Sequence, residues 1–186
     1  MDTQQEINQR LIDLALQLGA TKASIVKVAN ITFSADFRQL CEMNSCGLYG
    51  QCWMCPPDIG EIDQLMAQAQ SFDWALVYQT IRPLEDSFDI EGMLDAGDRH
   101  NALVNNIRQH SSELPFAKML HLGSGGCSIC RRCAKRDQQP CRFPDQAVSS
   151  LEAYGVAVYE LANLSGMKYI NGPNTVTYFG ALLFSL

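Results

Sequence analysis

The sequence predicts an α/β or α+β fold: a mixed sheet of about five strands with flanking helices and two cysteine-rich metal-binding loops. Three observations lead there. Helical and strand periodicities alternate along the chain, which favours helices packed on a sheet. The strongest apolar runs are of strand length and end at Pro or Gly. The eight cysteines fall into two groups of four, each in a stretch rich in Gly or Pro, with none elsewhere.

Taken in order, residues 4–18 read as an amphipathic helix. Ile7, Leu11, Leu14, Ala15 and Leu18 recur at helical spacing and Gly19 is a stop. Residues 23–28 read as a short strand, and 31–40 lead into the first cysteine group, with Arg38 just before it. Asp58 is placed to cap a helix over 59–71 with Ile62, Leu65, Met66 and Ala69 as its buried stripe. Residues 74–81 form an apolar strand closed by Pro83. A long polar helical region covers 86–113, with Leu94, Leu103, Val104 and Ile107 inward and breaks expected near Gly92 and Gly97. Residues 116–122 give a third strand. Pro144 and Asp145 open a short turn or helix. Residues 151–164 read as one helix with Gly155 inside it. Residues 167–170 and 175–184 read as two strands joined through Asn171-Gly172-Pro173-Asn174, a hairpin signal. No repeat, low-complexity run or linker appears, so one domain over 1–186 is expected.

The strongest chemical signal is Cys127-Ser128-Ile129-Cys130-Arg131-Arg132-Cys133, followed by Pro140-Cys141. Thiols three residues apart on a tight turn can face one centre. A C-x2-C-x2-C run with a fourth cysteine close behind is how chains wrap a cubane iron–sulfur cluster. Zinc sites more often use two separated C-x2-C pairs, so zinc is the runner-up. Gly123, Gly125 and Gly126 precede the run and let backbone approach a cluster. The other group is Cys41, Cys46, Cys52 and Cys55, in a loop punctuated by Gly47, Gly50, Pro56 and Pro57. Trp53 and Tyr49 stand where they can shield a metal centre from water. The metal-ligand set expected from the spacing of the later group and the four-and-four balance is therefore Cys41, Cys46, Cys52, Cys55, Cys127, Cys130, Cys133 and Cys141, holding two [4Fe-4S] clusters.

The stretch Asn44-Ser45-Cys46-Gly47-Leu48-Tyr49-Gly50, continuing through Trp53 to Cys55-Pro56-Pro57, resembles the predicted metal-binding proteins of domain of unknown function 2284. So do Gly126-Cys127 to Cys133, the Pro140-Cys141-Arg142-Phe143-Pro144 run, Glu152-Ala153-Tyr154-Gly155 and Asn174-Thr175-Val176-Thr177-Tyr178. The resemblance implies metal binding and carries no defined activity. It calls for Cys41, Cys46 and Cys55 in the first motif and the four later cysteines in the second. Cysteine is not required at position 52. The C-x2-C step from Cys52 to Cys55 argues for Cys52 as a ligand by spacing alone.

Composition bounds the rest. With 186 residues, 47% of them hydrophobic, the chain can bury a sizeable core without metal. A formal net charge of −6 argues against a nucleic-acid partner. No segment has the length and apolarity of a membrane span. The polar start Met1-Asp2-Thr3-Gln4-Gln5-Glu6 is unlike a signal peptide, and eight cysteines without one imply a reducing, cytoplasmic location. The partners expected are a redox protein or a small molecule.

Other chemistry is sparse. His100, His110 and His121 lie in no metal spacing; His121, six residues before Cys127, is the one placed for proton transfer near the second loop. No catalytic or phosphate-binding motif is present. Arg131, Arg132, Lys135, Arg136 and Arg142 crowd the second loop. They can raise a cluster's potential, dock an acidic carrier or simply offset thiolates. Three functions follow: an iron–sulfur redox module or small reductase, an enzyme using an open three-cysteine site as Lewis acid, or a zinc-stapled interaction protein.

Overall fold

The structure, a computed structural model, describes residues 3–186; Met1 and Asp2 of the polar amino end lie outside them. The chain runs α1 (Gln4–Gln17), β1 (Lys22–Lys27), α2 (Phe37–Glu42), α3 (Ile62–Gln70), β2 (Trp74–Pro83), α4 (Ile90–Ser111), β3 (Lys118–Gly123), β4 (Ser149–Ser150), α5 (Val158–Leu164) and β5 (Thr175–Ser185). The five strands make one mixed sheet in the order β1-β2-β5-β3-β4. All neighbours are antiparallel except β3 and β4, which are parallel. The result is an α+β fold with helices on both faces.

Alternation along the strands divides the core in two. Val77, Ala75, Phe179, Ala181, Leu183 and Leu122 face one layer, where they meet Leu65 and Ala69 of α3 and Leu161 and Ala162 of α5. Leu76, Tyr78, Leu182 and Phe184 face the other, against Ile7, Leu11 and Ala15 of α1 and Leu103, Val104 and Ile107 of α4. The central strand β5 is apolar through its second half because both of its faces are covered. A capping box starts α1: the Glu6 N–H donates to Thr3 Oγ1 and the Thr3 N–H to Glu6 Oε2.

Several sequence expectations need correction. α4 is unbroken across Gly92 and Gly97. Gly92 lies in the capped first turn, where its N–H donates to Asp89 Oδ1 at 2.8 Å, and Gly97 packs against Tyr178. Leu94 is not an inner residue: it is 65% exposed, because the buried stripe runs through Ala96, His100, Leu103, Val104 and Ile107. The expected 151–164 helix is two pieces. A short 3-10 turn, Glu152–Tyr154, ends at Gly155 with φ +72°, and α5 starts at Val158. An added Cβ at Gly155 would lie 2.9 Å from the Ser34 carbonyl oxygen, and its left-handed φ favours glycine. Residues 167–170 form no strand and the closing hairpin is absent: β5 pairs with β2 and β3 instead. Asp58 does not cap α3; Glu61 occupies that position, with no side-chain bond. Two elements went unforeseen, α2 and the two-residue β4.

Candidate metal centre

The first cysteine loop links α2 to α3, and the second links β3 to β4. They meet beyond the end of β3. Trp53 Nε1 donates to the Gln139 carbonyl at 2.8 Å, and Ser149 Oγ donates to the Met54 carbonyl at 2.8 Å. Lys135 Nζ forms an ion pair with Asp58 and lies 4.3 Å over the Trp53 ring. Asp58 thus ties the two loops together. Local backbone shapes the bends: Asn44, Gly47, Gly50, Gly125 and Gln138 all adopt positive φ, and the Pro56–Pro57 bond is cis.

All eight cysteines are free thiols. They line two adjoining recesses, divided differently from the sequence grouping. Cys41, Cys46 and Cys55 line a cavity of about 260 Å³, together with Leu40, Tyr49, Pro56, the Gly125–Gly126 backbone, Ser150 and Glu152. The second recess is much tighter, about 10 Å³, and is lined by Cys127, Cys130, Cys133 and Cys141 with Trp53 and Phe143. Cys52 lines this second recess, not the first. Hydrogen bonding with Cys55 is the leading cause holding Cys52 below the usual thiol range; burial opposes it, and the Met54 and Cys127 backbone and Cys133 add to the lowering. The same bond pushes Cys55 the other way, with burial adding to it. Cys52 is therefore coupled to Cys55 of the first set and to Cys127 and Cys133 of the second.

Gly126 shows how closely backbone approaches. A Cβ there would lie 3.1 Å from Cys55 Sγ and collide with Leu48. Cys127 is pushed up by burial, partly offset by the N–H groups of Ile129 and Val148. Cys41 is pushed up by burial and by the Glu152 charge, and pulled down by Arg38, which precedes it by three residues on α2. Arg38 is only 8% exposed; its guanidinium donates to the Gly60 carbonyl, and its Nε has no hydrogen-bond partner among the described residues. Burial raises Glu152 above the usual carboxylate range, against hydrogen bonds from its own N–H and from Ser150.

The basic cluster is largely spent on the loop itself. Arg132 pairs with Asp137 at 2.8 Å, Lys135 with Asp58, and Arg142 donates to the Arg132 carbonyl at 3.0 Å. His121 does not line either recess. It is buried on the α4 side of the sheet, 2.7 Å from the Tyr78 hydroxyl. Arg38 and Glu152 were not read as site residues from the sequence. Arg38 stands just before the first cysteine group and Glu152 opens one of the stretches that carry the family resemblance, but neither signal specifies a role.

The donor set is chemically suited to a soft metal centre, since thiolates select zinc, copper(I) and iron–sulfur clusters. Among the described residues, no three His, Cys, Asp or Glu side chains converge closely enough for one ion. No helix among the described residues is long and apolar enough to cross a membrane. No curated protein and no solved structure matches the chain. The family model described as predicted metal-binding protein (DUF2284) matches residues 24–184, a span that includes all eight thiols, and the chain belongs to that family.

Proposed function

We propose that the protein is an iron–sulfur redox protein, with two [4Fe-4S] sites that pass electrons between a partner and a small molecule. One observation carries this reading: eight free thiols line two recesses, with Cys52 of the second coupled to Cys55 of the first. A cluster, when bound, supplies one-electron chemistry whose potential follows its charge and hydrogen bonds. Cys127, Cys130, Cys133 and Cys141 would hold the second site and Cys41, Cys46 and Cys55 the first. Donor spacing supports clusters over zinc, because the C-x2-C-x2-C run of Cys127, Cys130 and Cys133 with Cys141 close behind is how chains wrap a cubane cluster, whereas zinc sites more often use two separated C-x2-C pairs. The partner that delivers electrons is a redox protein or a small molecule, in a cytoplasmic setting where thiols stay reduced.

A second reading is favoured by the position of Cys52. With Cys52 in the second recess, the first cavity offers only three thiols beside Leu40, Tyr49 and Pro56. A metal held by three protein thiolates keeps a position for a small molecule and acts as a Lewis acid.

Purification without oxygen tests both readings. The protein should be brown and contain iron and sulfide. Cys52→Ser should keep both spectral contributions, Cys55→Ser should lose the first, and Cys130→Ser the second. Colourless protein with stoichiometric zinc overturns the redox reading. A Cys55→Ser variant with unchanged iron and spectrum overturns the first site.

A further inference from the structure

We infer that Glu152, in place of Cys52, is the fourth protein donor of the first thiol site. The inference rests on the iron–sulfur reading above and names the ligand set of one of its two sites. A cubane cluster is ordinarily held by four protein donors, and the first cavity supplies three thiols. Glu152 is the other anionic side chain on its wall; the remaining lining is apolar, hydroxyl or glycine backbone. Cys52 does not line that cavity; it lines the second recess with Cys127, Cys130, Cys133 and Cys141.

The position of Glu152 is built into the fold. Its 3-10 turn lies between β4 and the left-handed Gly155. The Ser34 N–H donates to the Gly155 carbonyl at 2.8 Å, Ala157 N–H donates to the Thr32 carbonyl at 3.0 Å, and Phe33 bridges to Val156. These bonds fix the turn against the segment that leads directly into α2, which carries Cys41. Ser150 holds the carboxylate while its Oγ accepts from the Ala153 N–H at 3.1 Å. A half-buried carboxylate with so few fixed partners is costly unless it meets a cation or a metal. Arg38 is the second observation. Its charge is buried three residues before Cys41, and its Nε has no hydrogen-bond partner among the described residues. A cation so placed offsets a site carrying three thiolates and a carboxylate together.

The test compares wild type, Glu152→Gln, Glu152→Ala and Glu152→Cys, all purified without oxygen and then briefly treated with ferricyanide. Readouts are iron per chain, electron paramagnetic resonance and midpoint potential. Wild type should retain its iron. Glu152→Gln and Glu152→Ala should lose about one iron atom per chain, the atom left without a protein donor. Glu152→Cys should retain that iron at a lower potential, since a thiolate donates more charge than a carboxylate. A merely structural role would not be rescued by cysteine. Unchanged iron, resonance and potential in both Glu152→Gln and Glu152→Ala overturn the inference and leave the redox reading standing. Iron-free wild type overturns the redox reading, and this inference falls with it.

Discussion

Gly126 brings backbone close to a thiol, Cys55. Its missing side chain leaves room for Cys55 Sγ, 3.1 Å from where a Cβ would stand, and for Leu48. It does not adopt positive φ, so alanine meets a packing penalty and no backbone strain. Leu48 can turn aside, but Cys55 is held in its bond to Cys52. Gly126→Ala should cost about 1–3 kcal/mol, typical of overpacking, and should lower iron retained by the first site while sparing the second. Urea titration and iron analysis check it; full iron with unchanged stability would show that Cys55 has room to move. At this scale the sequence was informative about chemistry and weak about partition. Spacing marked Cys127, Cys130, Cys133 and the Cys52–Cys55 step, because C-x2-C is a local property; the balance of two groups of four and the family resemblance marked Cys41 and Cys46. The side of the partition that Cys52 takes depends on bonds to Cys127 and Cys133, far along the chain. Glu152 and Arg38 escaped for the same reason: their significance is burial beside a thiol, which one-dimensional spacing does not encode.

Between the elements, the two loops act as one unit because three ties join them. Lys135 and Asp58 are both mostly buried, with side-chain exposures of 24% and 17%. Removing the lysine leaves a shielded carboxylate without its cation. Lys135→Met should therefore cost about 1–3 kcal/mol, and Trp53→Phe, which loses the bond to the Gln139 carbonyl, about 1 kcal/mol. Since Lys135 also lies over the Trp53 ring, the two changes should couple by roughly 0.5 kcal/mol or more. Strictly additive losses in a double-mutant cycle would show the ties to be independent. Either change should speed metal release to a chelator, because it loosens one loop against the other. Regular elements were legible where a periodic stripe met a clear stop, as in α1 and β2. They were misread where tertiary contact overrode a local signal. The capping of Gly92 by Asp89 removed an expected break in α4. The left-handed Gly155 cut an expected helix in two. Asn171-Gly172-Pro173-Asn174 looked like a hairpin turn, yet β5 found its partners in β2 and β3, where the apolar surface lay. β4, two residues long, carries no pattern of its own.

The molecule as a whole buries two histidines on one face of its sheet, and this sets its response to acid. His100 is held down to about 4, mainly by burial, and lies 2.9 Å from Thr80 Oγ1. His121 is held down to about 3, again first by burial, with the Arg108 charge and His100 adding to it. Burial keeps Tyr78 protonated, and its hydroxyl lies 2.7 Å from Nε2 of His121, a ring that burial holds neutral. Both folded values lie below the unfolded value of 6.5, so the unfolded chain takes up protons first. The stability held by the neutral rings is fully present above pH 6.5 and is lost as pH falls from there towards 4 and 3. Each histidine should contribute a slope approaching about 1.4 kcal/mol per pH unit in that window. Thiolates also take up protons in acid, so the slope alone is not diagnostic. The variant His121→Gln separates the two, because glutamine can still hydrogen-bond to Tyr78 and cannot be protonated. Urea unfolding at pH 7.5, 6.5, 5.5 and 4.5 should show a slope lower by close to one proton in His121→Gln than in wild type. Equal slopes would mean that His121 is protonated in the folded protein and that the Tyr78 contact does not hold it neutral.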